Sequence, residues 1–301
     1  MRFSVVIPTF NRKDVLRKCL TALQSQDYPD YEVLVVDGGS DGTEQMMAQE
    51  FPRFRYLYEP RSGPSVARNL GIQVATGEIV AFTDDDCLVP PNWLSRLADG
   101  YQRYPEVYGV AGSCTPPESV WRANVLARQE LWHTWYAYGL SPDKAEYVAS
   151  GLSVPGSTSN VSYRRSILLD VGGFSTSFAR HIAGEERELR ERLCARGYDC
   201  YLYVPVNVLH MRTYVWNDFF TQAFEMALGV RRHLQRRARG QSTLQETDRM
   251  KRDRIPGLNK AMGHHDWKLV SALIGERAIY LIGRLLPEAV TLRLITFISK
   301  L

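Results

Sequence analysis

Short apolar runs and helical patterns alternate through the first hundred residues. Runs at 3–7, 32–36, 55–58 and 79–82 read as strands. Between them Val15, Leu16, Cys19, Leu20 and Leu23 recur at helical spacing, and 43–51 and 65–75 continue as helices. This alternation predicts the α/β class, a mostly parallel sheet flanked by helices. The punctuation agrees. Asp14 stands where it would help cap the first helix, Ser40 and Asp41 precede the second, and Gly77 follows the third as a stop. Pro90 and Pro91 suit the first turn of a fourth helix, and 107–111 reads as a fifth strand.

Beyond residue 112 the periodicity weakens. The stretch 113–155 carries Trp121, Trp132, Trp135, Tyr136 and Tyr138, with a helical pattern over 120–138. Order returns at 156–163, followed by a short helix, the turn Gly172-Gly173-Phe174, a helix over 185–196 closed by Gly197, and a strand over 200–204. After His210 the composition changes. Residues 215–234 are rich in aromatics, and the apolar set from Leu269 to Ile298 is broad enough for an amphipathic helix or hairpin. These shifts predict a domain at 1–211, with halves 1–112 and 113–211, and a helical region at 212–301.

Composition narrows the class. With 301 residues, 45% hydrophobic and 23% charged, the chain has the make-up of an ordinary folded protein with a sizeable core. Five cysteines without a CxxC pair predict a reduced, intracellular setting. The run after Met1-Arg2 is ended by Pro8, too soon for a secretory signal. The longest apolar candidate, 269–286, contains Glu276, Arg277 and Arg284, which argues against a membrane span. A cytoplasmic location is therefore expected. The net charge of +4 is unevenly spread, because 231–254 holds nine Lys or Arg against three acids. That stretch expects an anionic neighbour.

Candidate chemistry gathers at Asp84-Asp85-Asp86, just after the run at 79–82, at the strand end where open α/β sheets bind ligands. Three adjacent carboxylates repel one another unless a cation lies among them, and oxygen ligands favour Mg2+ or Mn2+. A solvated acidic turn is the plain alternative. The loops Pro8-Thr9-Phe10-Asn11-Arg12 and Asp37-Gly38-Gly39-Ser40-Asp41-Gly42 offer small polar groups, a cation and a carboxylate suited to a nucleotide, with glycines that permit close backbone approach. Ordinary strand-to-helix turns would read the same way. Arg61 and Arg68 flank a helix start that attracts anions, although Arg68 suits an ion pair with an aspartate equally well. Glu185 and Glu186 open a later helix, where carboxylates are favoured as anions. Glu186 and Arg190 also have the spacing of a surface ion pair.

Several segments, taken in order, resemble family 2 glycosyltransferases over about residues 3–210. They are Ser4-Val5-Val6-Ile7-Pro8-Thr9-Phe10-Asn11-Arg12, Val35-Val36-Asp37-Gly38-Gly39-Ser40-Asp41-Gly42-Thr43, Ala67-Arg68-Asn69-Leu70-Gly71, Phe82-Thr83-Asp84-Asp85-Asp86, Gly172-Gly173-Phe174 and Gly184-Glu185-Glu186-Arg187-Glu188-Leu189. The resemblance implies a GT-A fold, a nucleotide-diphosphate sugar donor, a divalent metal (Mg2+ or Mn2+) and inversion at the anomeric carbon. By position, Pro8, Thr9, Asn11 and Arg12 fall in the nucleotide-sugar loop, and Thr9 and Asp37 match the nucleoside-binding pair. Arg68 matches the residue near the acidic motif and diphosphate. Asp84 and Asp86 match the ends of the DxD motif, Asp86 as direct metal ligand, Asp84 as ribose or water-mediated partner, and Asp85 sharing either task. His210 stands where some members place a histidine near the metal. Arg164 and Arg165 match a basic pair on the acceptor side, or else face solvent. The family's helix typically begins Glu-Asp with the Asp as base. Here Glu186, and after it Glu185, takes that place, its carboxylate moved by roughly 1 Å through the extra methylene.

The implied acceptor is a glycan or lipid-linked hydroxyl, in polysaccharide or glycolipid synthesis. The basic stretch and apolar tail together suit docking on an anionic membrane surface, such as the inner face of the plasma membrane. Packing on the catalytic domain or a homo-oligomer interface fits the same pattern. Two rival classes remain on sequence grounds. A nucleotidyltransferase would need a glycine-rich, basic loop after the first strand, which 8–12 is not. A non-catalytic nucleotide-sugar or carbohydrate binder could use the tryptophans and arginines. Nucleic-acid binding is not expected, because no recognition motif occurs.

Overall fold

The computed structural model describes residues 1–60, 63–132, 146–150, 157–176 and 185–217, with individual positions between 220 and 297. In chain order the elements are β1 (Phe3–Thr9), α1 (Lys13–Gln24), β2 (Tyr31–Asp37), α2 (Thr43–Glu50), β3 (Arg55–Tyr58), α3 (Pro64–Val74) and β4 (Ile79–Phe82). Then follow β5 (Cys87–Leu88), α4 (Trp93–Arg103), β6 (Gly109–Thr115), α5 (Glu118–Ala123), α6 (Val125–Trp132) and β7 (Tyr147–Ser150). The last are β8 (Val161–Arg164), α7 (Arg165–Asp170), α8 (Glu185–Ala195) and β9 (Cys200–His210).

Among the described residues the nine strands form one sheet. Strands β3, β2, β1 and β4 lie side by side and parallel, as the alternation predicts. Beyond β4 the sheet turns mixed, because β8 runs antiparallel between β4 and β6. β9 then pairs parallel with β6 and antiparallel with β5 and β7. β9 extends well past residue 204, since the apolar run 204–209 stays in the sheet. The helical pattern at 120–138 breaks at Asn124, whose Oδ1 accepts the N–H groups of Leu126 and Ala127 and so starts α6. Residues 133–145 lie outside the described residues.

Alternation along the buried strands sends successive side chains to two cores. One face of the sheet (Phe3, Val5, Ile7, Val33, Val35) packs on α1, α2 and α4, with Leu16, Leu20, Leu23, Trp93 and Leu97 fully buried. The opposite face (Val6, Leu34, Val36, Phe82, Tyr163) packs on α3, α7 and α8. The pairing of β1 with β4 ends at Val6 and Phe82, so Pro8 lies beyond the reach of β4. Its missing N–H leaves no gap in that ladder. Past this point β4 gives way to the acidic turn, which stays tied to the end of β1 where Asp85 accepts the Thr9 hydroxyl.

Two capping assignments change. Asp14 pairs with Arg17 instead of capping, while Asp41 reaches across from the β2–α2 loop to accept the Lys13 N–H at 2.7 Å. Its second oxygen accepts the Thr43 hydroxyl at 2.6 Å and the Thr43 N–H at 3.2 Å, so one carboxylate serves two helix starts. Gly77 is not a helix stop, since α3 ends at Val74. A Cβ there would come within 2.7 Å of the Arg2 carbonyl and the Phe3 backbone, so glycine lets the chain cross β1 closely.

The basic stretch 231–254 lies outside the described residues. In the tail, Ala227, Leu228 and Thr291 are buried, while Met262, Ile274, Ile282 and Phe297 are exposed. Among the described residues no helix is long and apolar enough to cross a membrane.

Glu32 ties the near edge of the sheet together. Its carboxylate accepts the Ser4 hydroxyl, the Thr76 hydroxyl and the Thr76 N–H, each at 2.7 Å, and the Arg55 guanidinium at 2.9 Å. Desolvation alone would raise its pKa, but these donors outweigh it and bring the group to about 2. A carboxyl with a depressed folded pKa adds stability above its unfolded value of about 4.3, and that stability fades as pH falls towards 2. Glu32→Gln is expected to cost about 1–2 kcal/mol at pH 7. Urea unfolding at pH 7, 4 and 3 checks this, with the wild-type advantage shrinking at each step.

Candidate active site

The acidic residues Asp84, Asp85 and Asp86 occupy the turn between β4 and β5. The Cys87 N–H and the Cys19 thiol both donate to the Asp84 carbonyl, which fixes the turn against α1. Each carboxylate is met by a positive group. Asp84 pairs with Arg68 at 3.0 Å and accepts the Ser159 hydroxyl at 2.5 Å. Asp85 pairs with Arg12 at 2.7 Å and accepts the Thr9 hydroxyl at 2.8 Å. Asp86 takes the other arm of Arg12 at 2.8 Å, and its second oxygen lies 3.3 Å from His210 Nε2. The repulsion among the three acids is thus answered by the protein's own cations, so repulsion alone does not require a metal here.

The environment separates the two inner carboxyls. Burial pushes Asp85 up to about 7, against the pull of Arg12 and Thr9. Asp86 is buried as well, yet His210 and Arg12 hold it below the usual carboxylate range. Asp86, Cys87 and His210 place one ligand atom each within 4.8 Å of one another. His210 is fixed there by its register with Cys87 in the β5–β9 ladder and by the Met211 N–H bond to the Asp86 carbonyl. A carboxylate oxygen and an imidazole nitrogen suit Mn2+, and a carboxylate with waters suits Mg2+. Cys87 does not fit a hard ion. Its thiol is held well above its ordinary pKa by hydrogen bonding with Cys114 and by burial, so it stays protonated.

A second cluster meets this turn from α8. Arg68, almost wholly buried, bridges Asp84 and Glu185, the latter at 3.2 Å, and its guanidinium lies 5.6 Å from the Phe174 ring centre. Glu186 is half-buried and accepts the Thr158 N–H at 2.6 Å. Burial, with the adjacent Glu185 charge, raises its pKa. The expected Glu186–Arg190 pair acts on the site as a charge: Arg190, half-buried, draws the Glu186 pKa down against that burial. On the far side of β1, Asp37 stands in register with Thr9 and is buried. Its carboxylate accepts the Gly39 N–H at 2.7 Å and the Tyr56 hydroxyl at 3.2 Å, and desolvation raises its pKa.

A match to the model of the family described as "Glycosyl transferase family 2" spans residues 4–171, more than half of the chain. The chain belongs to this glycosyltransferase family. Glucosyl-dolichyl phosphate glucuronosyltransferase of Haloferax volcanii is 25% identical over 212 residues, covering 66% of this chain and 64% of the relative. Glycosyltransferase AglE of the same organism is 44% identical over 100 residues, covering 31% of this chain and 33% of the relative. The matched stretches therefore span between about a third and just under two thirds of these relatives. Among solved structures, mannosyltransferase PcManGT from Pyrobaculum calidifontis, in complex with GDP-Man and Mn2+, has a TM-score of 0.57 at 20% identity, covering 100% of this chain and 81% of the other. Residues 1–349 of S. aureus TarS, with UDP-GlcNAc, give 0.53 at 19% identity, covering 76% and 66%. The fold is GT-A.

Within this family 2 glycosyltransferase, Thr9, Arg12, Arg68, Asp84, Asp85, Asp86, His210 and Glu185 are joined by ion pairs and hydrogen bonds about the acidic turn, with Glu186 next to Glu185 at the start of α8. Asn11 and Gly39 also serve to fit the two loops together. Asn11 adopts a left-handed φ of 52° and its side chain accepts the Ser40 N–H, while a Cβ on Gly39 would meet the Asn11 backbone at 2.5 Å. The two loops pack on each other. Arg164 and Arg165 lie at the other end of the strands from the acidic turn, where Arg164 pairs in register with Ile79 at the start of β4. Their guanidiniums donate to the carbonyls of Pro105, Val107, Ile72 and Gln73, a structural task that neither side of the sequence alternative foresaw.

Sequence reasoning missed Thr158, Ser159 and Asn160, which follow a polar stretch with no periodic signal. Asn160 is fully buried, accepts the Trp93 indole N–H at 2.8 Å and donates to the carbonyls of Ser113 and Val206. It closes the irregularity between Ala111 and Ser113 in β6 and anchors the turn that presents Ser159 and Thr158. Asn160→Ala strips the buried Trp93 N–H of its partner and removes one donor each from the carbonyls of Ser113 and Val206. A loss of about 2–3 kcal/mol in urea unfolding is expected, with transfer activity per folded molecule also reduced.

Proposed function

We propose that this glycosyltransferase moves a sugar from a nucleotide diphosphate to an acceptor hydroxyl by a single inverting displacement, with Glu186 as base. The reading is carried by one observation: Arg68 bridges Asp84 of the acidic turn and Glu185 at the start of α8. That bridge sets the carboxylate of a base beside the place where a donor diphosphate would lie. The Thr158 N–H holds one oxygen of Glu186, leaving the other to receive the acceptor proton. Burial that raises the Glu186 pKa makes it a better proton acceptor near neutral pH than an exposed glutamate.

Asp37 and Thr9 form the nucleoside end of the site, where Asp37 accepts from a base N–H or a ribose hydroxyl. Asp84 and Asp85 border the ribose and the diphosphate, Asp84 held by Ser159 and Arg68. Asp86 and His210 would hold Mg2+ or Mn2+, which when bound supplies counter-charge for the departing diphosphate. The nucleotide sugars bound by the two structural neighbours, and the Mn2+ in one of them, support this donor class.

For the acceptor, a lipid-linked glycan is proposed. A GalNAc(5)-diNAcBac-PP-undecaprenol beta-1,3-glucosyltransferase of Campylobacter jejuni is 35% identical over 115 residues, and the Haloferax volcanii relative is named for a dolichyl phosphate glycan. The exposed Ile274, Ile282 and Phe297 in the tail suit peripheral contact with the membrane that carries such an acceptor.

Glu186→Gln is expected to lower kcat by about 10²–10⁴-fold while leaving donor binding unchanged. In the wild type, kcat/KM should fall on the acid side through an apparent pKa above the ordinary carboxylate value of about 4.3, because the base must be ionised. Full activity in the variant contradicts the assignment, and inactivity of Glu185→Gln beside an active Glu186→Gln would move the role to Glu185. Stripping divalent ions with EDTA should abolish transfer, and Mn2+ should restore it.

A further inference from the structure

Arg12 bridges the two innermost acids. One guanidinium nitrogen lies 2.7 Å from Asp85 and another 2.8 Å from Asp86. The arginine side chain is 43% exposed, whereas those of Asp85 and Asp86 are 5% and 9% exposed, so the guanidinium lies over the acids from the solvent side. Its backbone is fixed, because the Arg12 carbonyl accepts the N–H groups of Val15 and Leu16 in the first turn of α1, both at 3.0 Å. Movement is left to the side chain. Asp86 is shared: one oxygen faces Arg12 and the other faces His210.

We infer that Arg12 is the resident counter-ion of the acidic turn, which yields Asp86 to a divalent cation and swings its freed arm to the donor diphosphate. This rests on the metal assignment to Asp86 and His210 above. A cation held by the Asp86 carboxylate would stand within a few ångströms of the guanidinium, and like charges that close repel. A diphosphate removes the conflict, because it offers oxygens in the fork geometry that a guanidinium prefers. Metal and nucleotide then bind cooperatively, with the Arg12 side chain as the element that both displace. Reciprocity requires each to strengthen the other by the same factor.

The test is Mn2+ binding to the full chain, followed by electron paramagnetic resonance of the free ion, with and without GDP or UDP. Arg12→Gln is expected to bind Mn2+ alone about 10-fold tighter than wild type, and to lose most of the further tightening that the nucleotide gives. Equal or weaker Mn2+ binding in Arg12→Gln overturns the inference. Should that variant fail to fold, Arg12→Lys decides the question: a lysine cannot bridge both carboxylates, so tighter Mn2+ binding supports the inference and unchanged binding overturns it. Asp86→Asn separates the two levels. If Mn2+ binding is equal in wild type and Arg12→Gln but lost in Asp86→Asn, only the counter-ion role falls. If Mn2+ binds none of these proteins, the metal assignment falls with it.

Discussion

Three consecutive carboxylates can be taken out of water only if positive groups are brought to them, and much of this fold is arranged around that constraint. Arg12 comes from the β1–α1 connection and Arg68 from α3, while His210, the last residue of β9, meets the second oxygen of Asp86. Nearly two hundred residues of chain separate the first from the last. Removing one partner from such a cluster would leave an uncompensated charge inside, which costs far more than the ion pair contributes. The acids are therefore held inside by cations drawn from distant parts of the chain.

The same cluster joins the two halves of the sheet. Arg68 and Asn69 are neighbours on α3 with separate duties. Arg68 holds α8 through Glu185, while Asn69 clamps the Phe174 backbone, accepting its N–H and donating to its carbonyl, both at 2.7 Å. Gly173, at a φ of 68°, leaves room for the Asn69 amide that a Cβ would overlap, and Phe174 stacks edge-on against Phe82 at 5.3 Å. A segment that in sequence is a bare Gly-Gly-Phe turn thus becomes the joint through which the helix bearing Glu186 is registered against the acidic turn.

The parallel half of the fold was legible in the sequence because its signals are local. Strands β1, β2 and β4 are largely buried apolar runs, β3 is a short edge strand, and the helices between them show clear spacing. The site was legible in part, through the residues that follow those strands. What stayed hidden depends on distant partners. β5 is two residues long and exists through pairing with Leu209 and His210, and β8 reverses direction between β4 and β6 without any sequence mark. Asp41 caps α1 from another loop, and Asn160 acts through Trp93, Ser113 and Val206, so neither role can be read from neighbouring residues.

The proposed function requires the acidic turn to bind a nucleotide-diphosphate sugar together with a divalent cation. A ligand that binds the folded state alone raises the unfolding temperature, so thermal unfolding with UDP-, GDP- and dTDP-sugars in Mn2+ tests the claim most directly. A shift is expected for at least one donor class, one that needs Mn2+ and disappears in Asp86→Asn. A well-folded protein that shows no shift with any nucleotide sugar, or an equal shift in Asp86→Asn, would contradict it.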